Sequence, residues 1–260
     1  MAKHVIHPIP LMTLSRPMSE QIYRLAPYVG PTVAVCIFAW YIEGPKQRIL
    51  VDVGMTADMM RKANVPGFST TATHIQTVQE GLAKLGLTPE DIDIVIVSHL
   101  HLDHIPLAPL FKNARFLVQK AELDYQRNPP PPEIDPRPCS GELLDSIRFE
   151  VMEGDYEVEE GVRVLHTPGH TPGGQSVAVD TADGVAIIDS LCLTDANWNV
   201  PPALQGRMKF LLPDCHNDLN QAYQSMLRIS ELADIKLPSH ELRLAWVKAI
   251  PEPKQEEQTV

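Results

Sequence analysis

His99-Leu100-His101-Leu102-Asp103-His104 places four metal-capable side chains within six residues. The stretch follows the apolar run Ile92-Asp93-Ile94-Val95-Ile96-Val97-Ser98. That run is short, β-branched and closed by a polar residue, so it reads as a buried strand. Open α/β sheets place ligands where strands end, and the cluster sits at such an end. Residues i and i+2 of an extended segment share a face, which lets His99 and His101 converge on one ion. Asp103 and His104 then turn away and reach towards a second. The competing reading is a polar loop that is merely rich in histidine. Against it, a loop gains nothing from three imidazoles at the mouth of a strand.

Three later residues share that address. His170 lies in Thr167-Pro168-Gly169-His170-Thr171-Pro172-Gly173-Gly174, after the strand-like Val162 to Leu165. Asp189 closes the run Val185-Ala186-Ile187-Ile188, and His240 follows Ile235-Lys236-Leu237-Pro238. Taken singly, His170 reads as a surface residue in a Gly-Pro turn and His240 as a core histidine. Taken as an ordered set beyond successive apolar runs, they read as ligands.

Around these residues the pattern alternates strands and helices. Residues 32–41 and 48–52 read as a hairpin across Gly44-Pro45, and Arg115 to Gln119 and Ser176 to Asp180 as further strands. Thr73 to Gly86 reads as a helix with Ile75, Val78, Leu82 and Leu85 on one face. Leu219, Ala222, Met226, Ile229 and Ala233 mark another helical face. The proline-dense segment 128–138 reads as a surface loop, either a passive connector or a wall of the cleft. No linker divides the chain, so residues 1–260 are expected to form a single domain.

The apolar fraction of 44% suffices for a full core. A net charge of -11 leaves no basic excess to neutralise phosphates, which argues against a nucleic-acid partner, and gives no support to an anionic membrane surface. No apolar run approaches the length of a membrane span. The start, Met1-Ala2-Lys3-His4-Val5-Ile6-His7-Pro8, lacks the features of a signal peptide, so a cytoplasmic location is expected. Cys36, Cys139, Cys192 and Cys215 form no Cys-x-x-Cys pair, so thiolate metal ligands are not expected.

In order and spacing, His99-x-His101-x-Asp103-His104 with His170, Asp189 and His240 resembles the ligand series of the metallo-β-lactamase superfamily. Thr167-Pro168-Gly169-His170-Thr171-Pro172-Gly173 and Val51-Asp52-Val53-Gly54 resemble its flanking motifs. The resemblance implies an α/β fold, an αββα sandwich of two mixed β-sheets flanked by helices, with metals at one edge. It implies that His99, His101 and His170 hold one divalent ion, that Asp103, His104 and His240 hold another, and that Asp189 bridges them. Histidine and carboxylate ligands suit zinc, and also iron, manganese or cobalt.

Within the superfamily the chain is most similar to the N-acyl-homoserine lactonase group and the related 4-pyridoxolactonases. That implies hydrolysis of a small-molecule ester or lactone by water activated between two ions, with Asp103 carrying a proton to the leaving oxygen. It also implies a homodimer as one assembly. The chain departs from those lactonases at Cys192, where they carry a tyrosine, and at Gly174, where they often carry a histidine. Thioesterase and phosphodiesterase chemistry remain alternatives, as does a metal-bound sensor without turnover. Asn197 to Phe210, with Trp198, Leu204, Met208 and Phe210, is expected to wall the substrate pocket, or else to be simple loop packing. Asp52 reads as a buried carboxylate that organises loop amides. His4, His7, His74, His166 and His216 match no ligand position.

Overall fold

The computed structural model describes residues 4–17, 32–63, 71–131, 137, 139–213 and 215–252. The first sheet contains β1 (Val5–Pro17), β2 (Thr32–Glu43), β3 (Arg48–Val51), β4 (Thr73–His74), β5 (Ile94–Ile96), β6 (Arg115–Gln119) and β7 (Phe149–Met152). Their order is β4-β1-β2-β3-β5-β6-β7. β1, β2 and β3 are antiparallel neighbours, whereas β3, β5, β6 and β7 run parallel. The second sheet contains β8 (Tyr156–Glu159), β9 (Val162–His166), β10 (Gln175–Thr181), β11 (Gly184–Ile188) and β12 (Ile235–Leu237), in the order β12-β11-β10-β9-β8. It is antiparallel except for the β11–β12 pair.

Strand periodicity divides the core into layers. Ile94 and Ile96 point inward with Phe38, Trp40, Ile49 and Val51 against Val162, Val164, Val177, Val179 and Ile188 of the second sheet. Val95 and Val97 point to the opposite face. There they meet Val78 and Leu82 of α2 (Val78–Ala83), Leu123 of α3 (Lys120–Arg127) and Leu144 of α4 (Gly141–Ser146). A strand buried on both faces needs the continuous apolar run seen at 94–97. On the outer face of the second sheet, Leu165, Ala178 and Ile187 pack against Met226 and Ile229 of α6 (Leu219–Leu232). The shorter helices α1 (Ala57–Ala63) and α5 (Asp195–Trp198) flank the loops. Helices therefore cover both outer faces of a two-sheet sandwich, as expected.

Three sequence expectations need correction. The helix expected over Thr73 to Gly86 starts only at Val78, because Thr77 and Glu80 form a capping box; Thr73–His74 pairs instead with β1. Ile75, expected on the apolar face, is 41% exposed. The segment 197–210 does not line the pocket described below. Trp198 and Phe210 pack on each other and on the cluster under α6. Of the proline-dense segment 128–138, residues 132–136 and 138 lie outside the described residues.

Candidate metal centre

Each strand that carries a candidate ligand stops just before it. β5 ends at Ile96, β9 at His166, β11 at Ile188 and β12 at Leu237. The two sheets are tied together at this edge. Gln175 donates its N–H to Ser98 O at 2.9 Å and its side-chain amide to Val97 O at 2.8 Å. Cys36 N–H reaches His240 O at 3.1 Å. Loops from opposite sheets thus converge at one rim.

Two groups of ligand atoms form there, His99 with His101 and His170, and Asp103 with His104 and His240, each within 4.8 Å. The ring centroids of His99, His101 and His170 lie 4.7 Å apart in every pairing. His99 and His104, from different groups, have centroids 3.9 Å apart, so the two groups adjoin. The five imidazoles are buried; the Asp103 side chain is 19% exposed and faces the opening. Asp189 belongs to neither group. Its Oδ1 accepts from Leu191 N–H at 2.9 Å and from Ser239 Oγ at 3.1 Å, which places it beside His240.

The hydrogen bonds behind the rings set their tautomers. Asp52 accepts Ser98 N–H at 2.7 Å, Ser98 Oγ–H at 2.6 Å and His104 Nδ1–H at 2.7 Å. With its hydroxyl proton committed to Asp52, Ser98 Oγ accepts from His99 Nδ1 at 3.0 Å. His240 Nδ1 donates to Cys36 O at 3.0 Å, and His170 Nδ1 donates to Cys215 O. A ring that donates from Nδ1 keeps a lone pair on Nε2, the arrangement that suits a metal ligand. His99 Nε2, His104 Nε2 and Asp189 Oδ2 are buried with no hydrogen-bond partner. Orphaned buried polar atoms are costly unless an ion or water satisfies them. The residues present therefore fit a metal pair.

Electrostatics follow from the crowding. Burial, reinforced by the neighbouring imidazoles, holds His99 well below the ordinary histidine pKa. Burial alone would lower His104 too, but the Asp103 and Asp52 carboxylates outweigh it and push it up to about 9. Burial would raise Asp103, yet His104, His240 and His101 hold it well below the usual carboxylate range. Asp189 is pushed up to about 7, chiefly by burial.

A pocket opens onto both groups. Its apolar wall is Leu14, Val35, Ile37, Met60 and Leu102, and Arg137 and Cys192 complete the lining. Asp52 and Cys192 both hold left-handed backbone, with φ of 56° and 60°. The remaining histidines serve elsewhere. His4 pairs with Glu159 at 3.0 Å and His7 with Glu43 at 2.9 Å, and His166 reaches Pro172 O at 3.1 Å. His74 lies in β4 and His216 bonds Pro213 O, both outside the two groups. Sequence reasoning overlooked Glu122, Gln175 and Arg137. Gln175 alone carried a usable signal, a polar residue opening an apolar strand beside the ligand loop.

Residues 37–202 match the model of the metallo-beta-lactamase superfamily. An N-acyl homoserine lactonase of Bacillus sp is 32% identical over 161 residues, 58% of this chain and 61% of its own length. A probable metallo-hydrolase of Methanocaldococcus jannaschii is 31% identical over 162 residues, 62% of this chain and 63% of its own. The chain thus spans less than two thirds of the curated relatives it matches. Among solved structures, a quorum-quenching N-acyl homoserine lactone hydrolase superposes with a TM-score of 0.73 at 24% identity, covering 94% of each chain. A dizinc quorum-quenching lactonase superposes at 0.68 and 16%, covering 96% of this chain and 90% of that one. No helix among the described residues is long and apolar enough to cross a membrane. With two sheets that meet at a histidine-lined rim and a family match across more than half its length, the chain belongs to the metallo-beta-lactamase superfamily.

Proposed function

We propose that the chain is a dinuclear-metal hydrolase that opens a lactone, of the N-acyl-homoserine type or a close ester relative. One observation carries the reading: two adjoining three-residue ligand groups present orphaned buried donor atoms at the floor of a pocket with an apolar wall. His99, His101 and His170 would hold one divalent ion and Asp103, His104 and His240 the other, with Asp189, whose Oδ2 is buried without a partner, as the carboxylate shared between them. The donor set suits zinc, with iron, manganese and cobalt compatible. When bound, such a pair acidifies water towards a pKa of about 7 and polarises a carbonyl.

The chain's own groups do the rest. Asp103, which lines the pocket with a partly exposed side chain, takes the proton given up by the attacking water and delivers it to the ring oxygen as the ester bond breaks. Leu14, Val35, Ile37, Met60 and Leu102 cover the apolar part of the substrate and exclude solvent. Similarity to proteins named N-acyl homoserine lactonases supports the substrate class.

A panel of lactones, thioesters and phosphodiesters, run with the metal-loaded protein, tests the reading. Lactones are the expected substrates, and turnover of phosphodiesters alone sinks it. Asp103→Asn is expected to lower kcat on the best lactone by about 100-fold or more. Metal content is measured alongside, so that loss of an ion is separated from loss of the proton carrier. A variant that keeps both ions and full activity removes Asp103 from the proton path.

A further inference from the structure

Glu122 lies in the first turn of α3 and is completely buried. Burial pushes its carboxyl pKa up. A carboxylate in such a place needs a reason. Its two oxygens reach two different ligand loops. Oε1 accepts the N–H of Leu100 at 2.8 Å, the residue between His99 and His101. Oε2 accepts the N–H of Gly173 at 3.2 Å, three residues after His170. The first loop leaves the first sheet after β5, and the second leaves the second sheet after β9.

The approach is as close as a chain allows. A Cβ on Gly173 would lie 2.1 Å from Glu122 N and 2.5 Å from Glu122 Cα. Only glycine passes there. Across the same gap His101 Nδ1 stands 3.1 Å from His170 Nε2. The other ligand group is aimed by different partners, Asp52 behind His104 and Cys36 O behind His240.

We infer that Glu122 is a positioning residue for the three-histidine site, clamping the His99–His101 loop to the His170 loop and so fixing the distance across which one ion is held. The inference rests on the two-ion reading above but not on the choice of substrate. Glu122→Gln keeps the size and loses one acceptor, leaving an NH2 against a backbone N–H. Outer partners of metal ligands govern affinity by about 10–100-fold.

The test isolates each site. In a His240→Ala background, which leaves the three-histidine site, Glu122→Gln is expected to weaken zinc binding by about 10–100-fold in chelator competition. In a His170→Ala background, which leaves the other site, it is expected to weaken binding far less, since there Glu122 acts only through its charge on His104. Circular dichroism of the metal-free proteins confirms that each is folded. If Glu122→Gln does not fold, Glu122→Asp, which keeps the charge but is one methylene too short to reach both loops, is read in the same way. Equal weakening in both backgrounds, or none in either, overturns the inference. An unsubstituted chain that takes up two ions but cleaves no lactone overturns the substrate reading and leaves Glu122 untouched. One that takes up no ion overturns both.

Discussion

Asp52 engages both carboxylate oxygens inside the protein, one on Ser98 N–H and the other on Ser98 Oγ–H and His104 Nδ1–H. It does so from left-handed backbone, a conformation that aspartate tolerates better than most residues. Through Ser98 it reaches His99 as well, so one carboxylate sets the tautomer of a ligand in each group. Asp52→Asn keeps the volume and replaces an acceptor with a donor that opposes His104 Nδ1–H. Zinc affinity at the Asp103–His104–His240 site is expected to fall about tenfold or more, read by chelator competition in the His170→Ala background. Unchanged affinity would show that His104 holds its orientation by packing alone. The role of Asp52 as an organiser of loop amides was legible, because the residue stands in a motif after an apolar strand. Glu122 was not. An acid in the first turn of a helix has an ordinary explanation in the helix dipole, and its partners lie 22 and 51 positions away in sequence. The candidate ligands escaped this difficulty because four of them fall within six residues and the others each follow an apolar run.

Elements that bury one continuous face were legible, and elements defined by their ends were not. The helix 219–232 carries an unambiguous 3-4-3 period, and the run 94–97 is legible instead as an unbroken apolar stretch buried on both faces. β1 went unread because Pro8, Pro10 and Pro17 argue against a strand. The structure reconciles them: β1 pairs with β2 on one side, with a register shift between Pro10 and Met12, and with β4 at Met12 and Thr13 on the other. Among the described residues the backbone bonds on its second edge fall at Ile6, Leu11, Met12 and Thr13 rather than on the prolines. The Thr167–Gly174 loop shows the converse, a motif legible as a ligand carrier whose packing was not. Gly169, at φ 135°, lies so close to α6 that a Cβ would fall 2.3 Å from Ala222 N and 2.4 Å from Ala222 Cα. Asn217 and Asp218 N–H groups both donate to Gly169 O, at 2.7 and 3.0 Å, docking the start of the helix on the loop. Gly169→Ala must push the helix or the loop aside. A destabilisation of about 1–3 kcal/mol is expected from overpacking, seen as a melting temperature several degrees lower. Since His170 is the next residue, zinc affinity in the His240→Ala background is expected to fall with it. A variant with unaltered melting would mean that the helix yields without cost.

At the scale of the whole molecule, the site joins the two halves of the sandwich. His99, His101, Asp103 and His104 follow the first sheet, and His170, Asp189 and His240 follow the second. Each proposed ion therefore takes ligands from both sheets. Without ions, five buried imidazoles crowd one rim, and the raised pKa of His104 favours a positive charge within it. A ligand that binds only the folded state stabilises it by about 2.7 kcal/mol at 100 times its dissociation constant. Stripping the protein with a chelator is accordingly expected to lower its melting temperature, and adding back zinc to restore it in proportion to the logarithm of free metal. The loss should be unequal across the fold. The interior between the sheets is closed by aliphatic packing that needs no ion, so amide exchange at β5, β10 and β11 should change little. Exchange at 98–104, 167–174 and 238–240 should rise, because these loops are tied to one another through the ligands. Uniform loosening would mean that the ions support the whole sandwich. A melting temperature indifferent to the chelator, in protein shown to have lost its metal, would mean that the hydrogen bonds of Asp52, Glu122 and Gln175 hold the rim unaided.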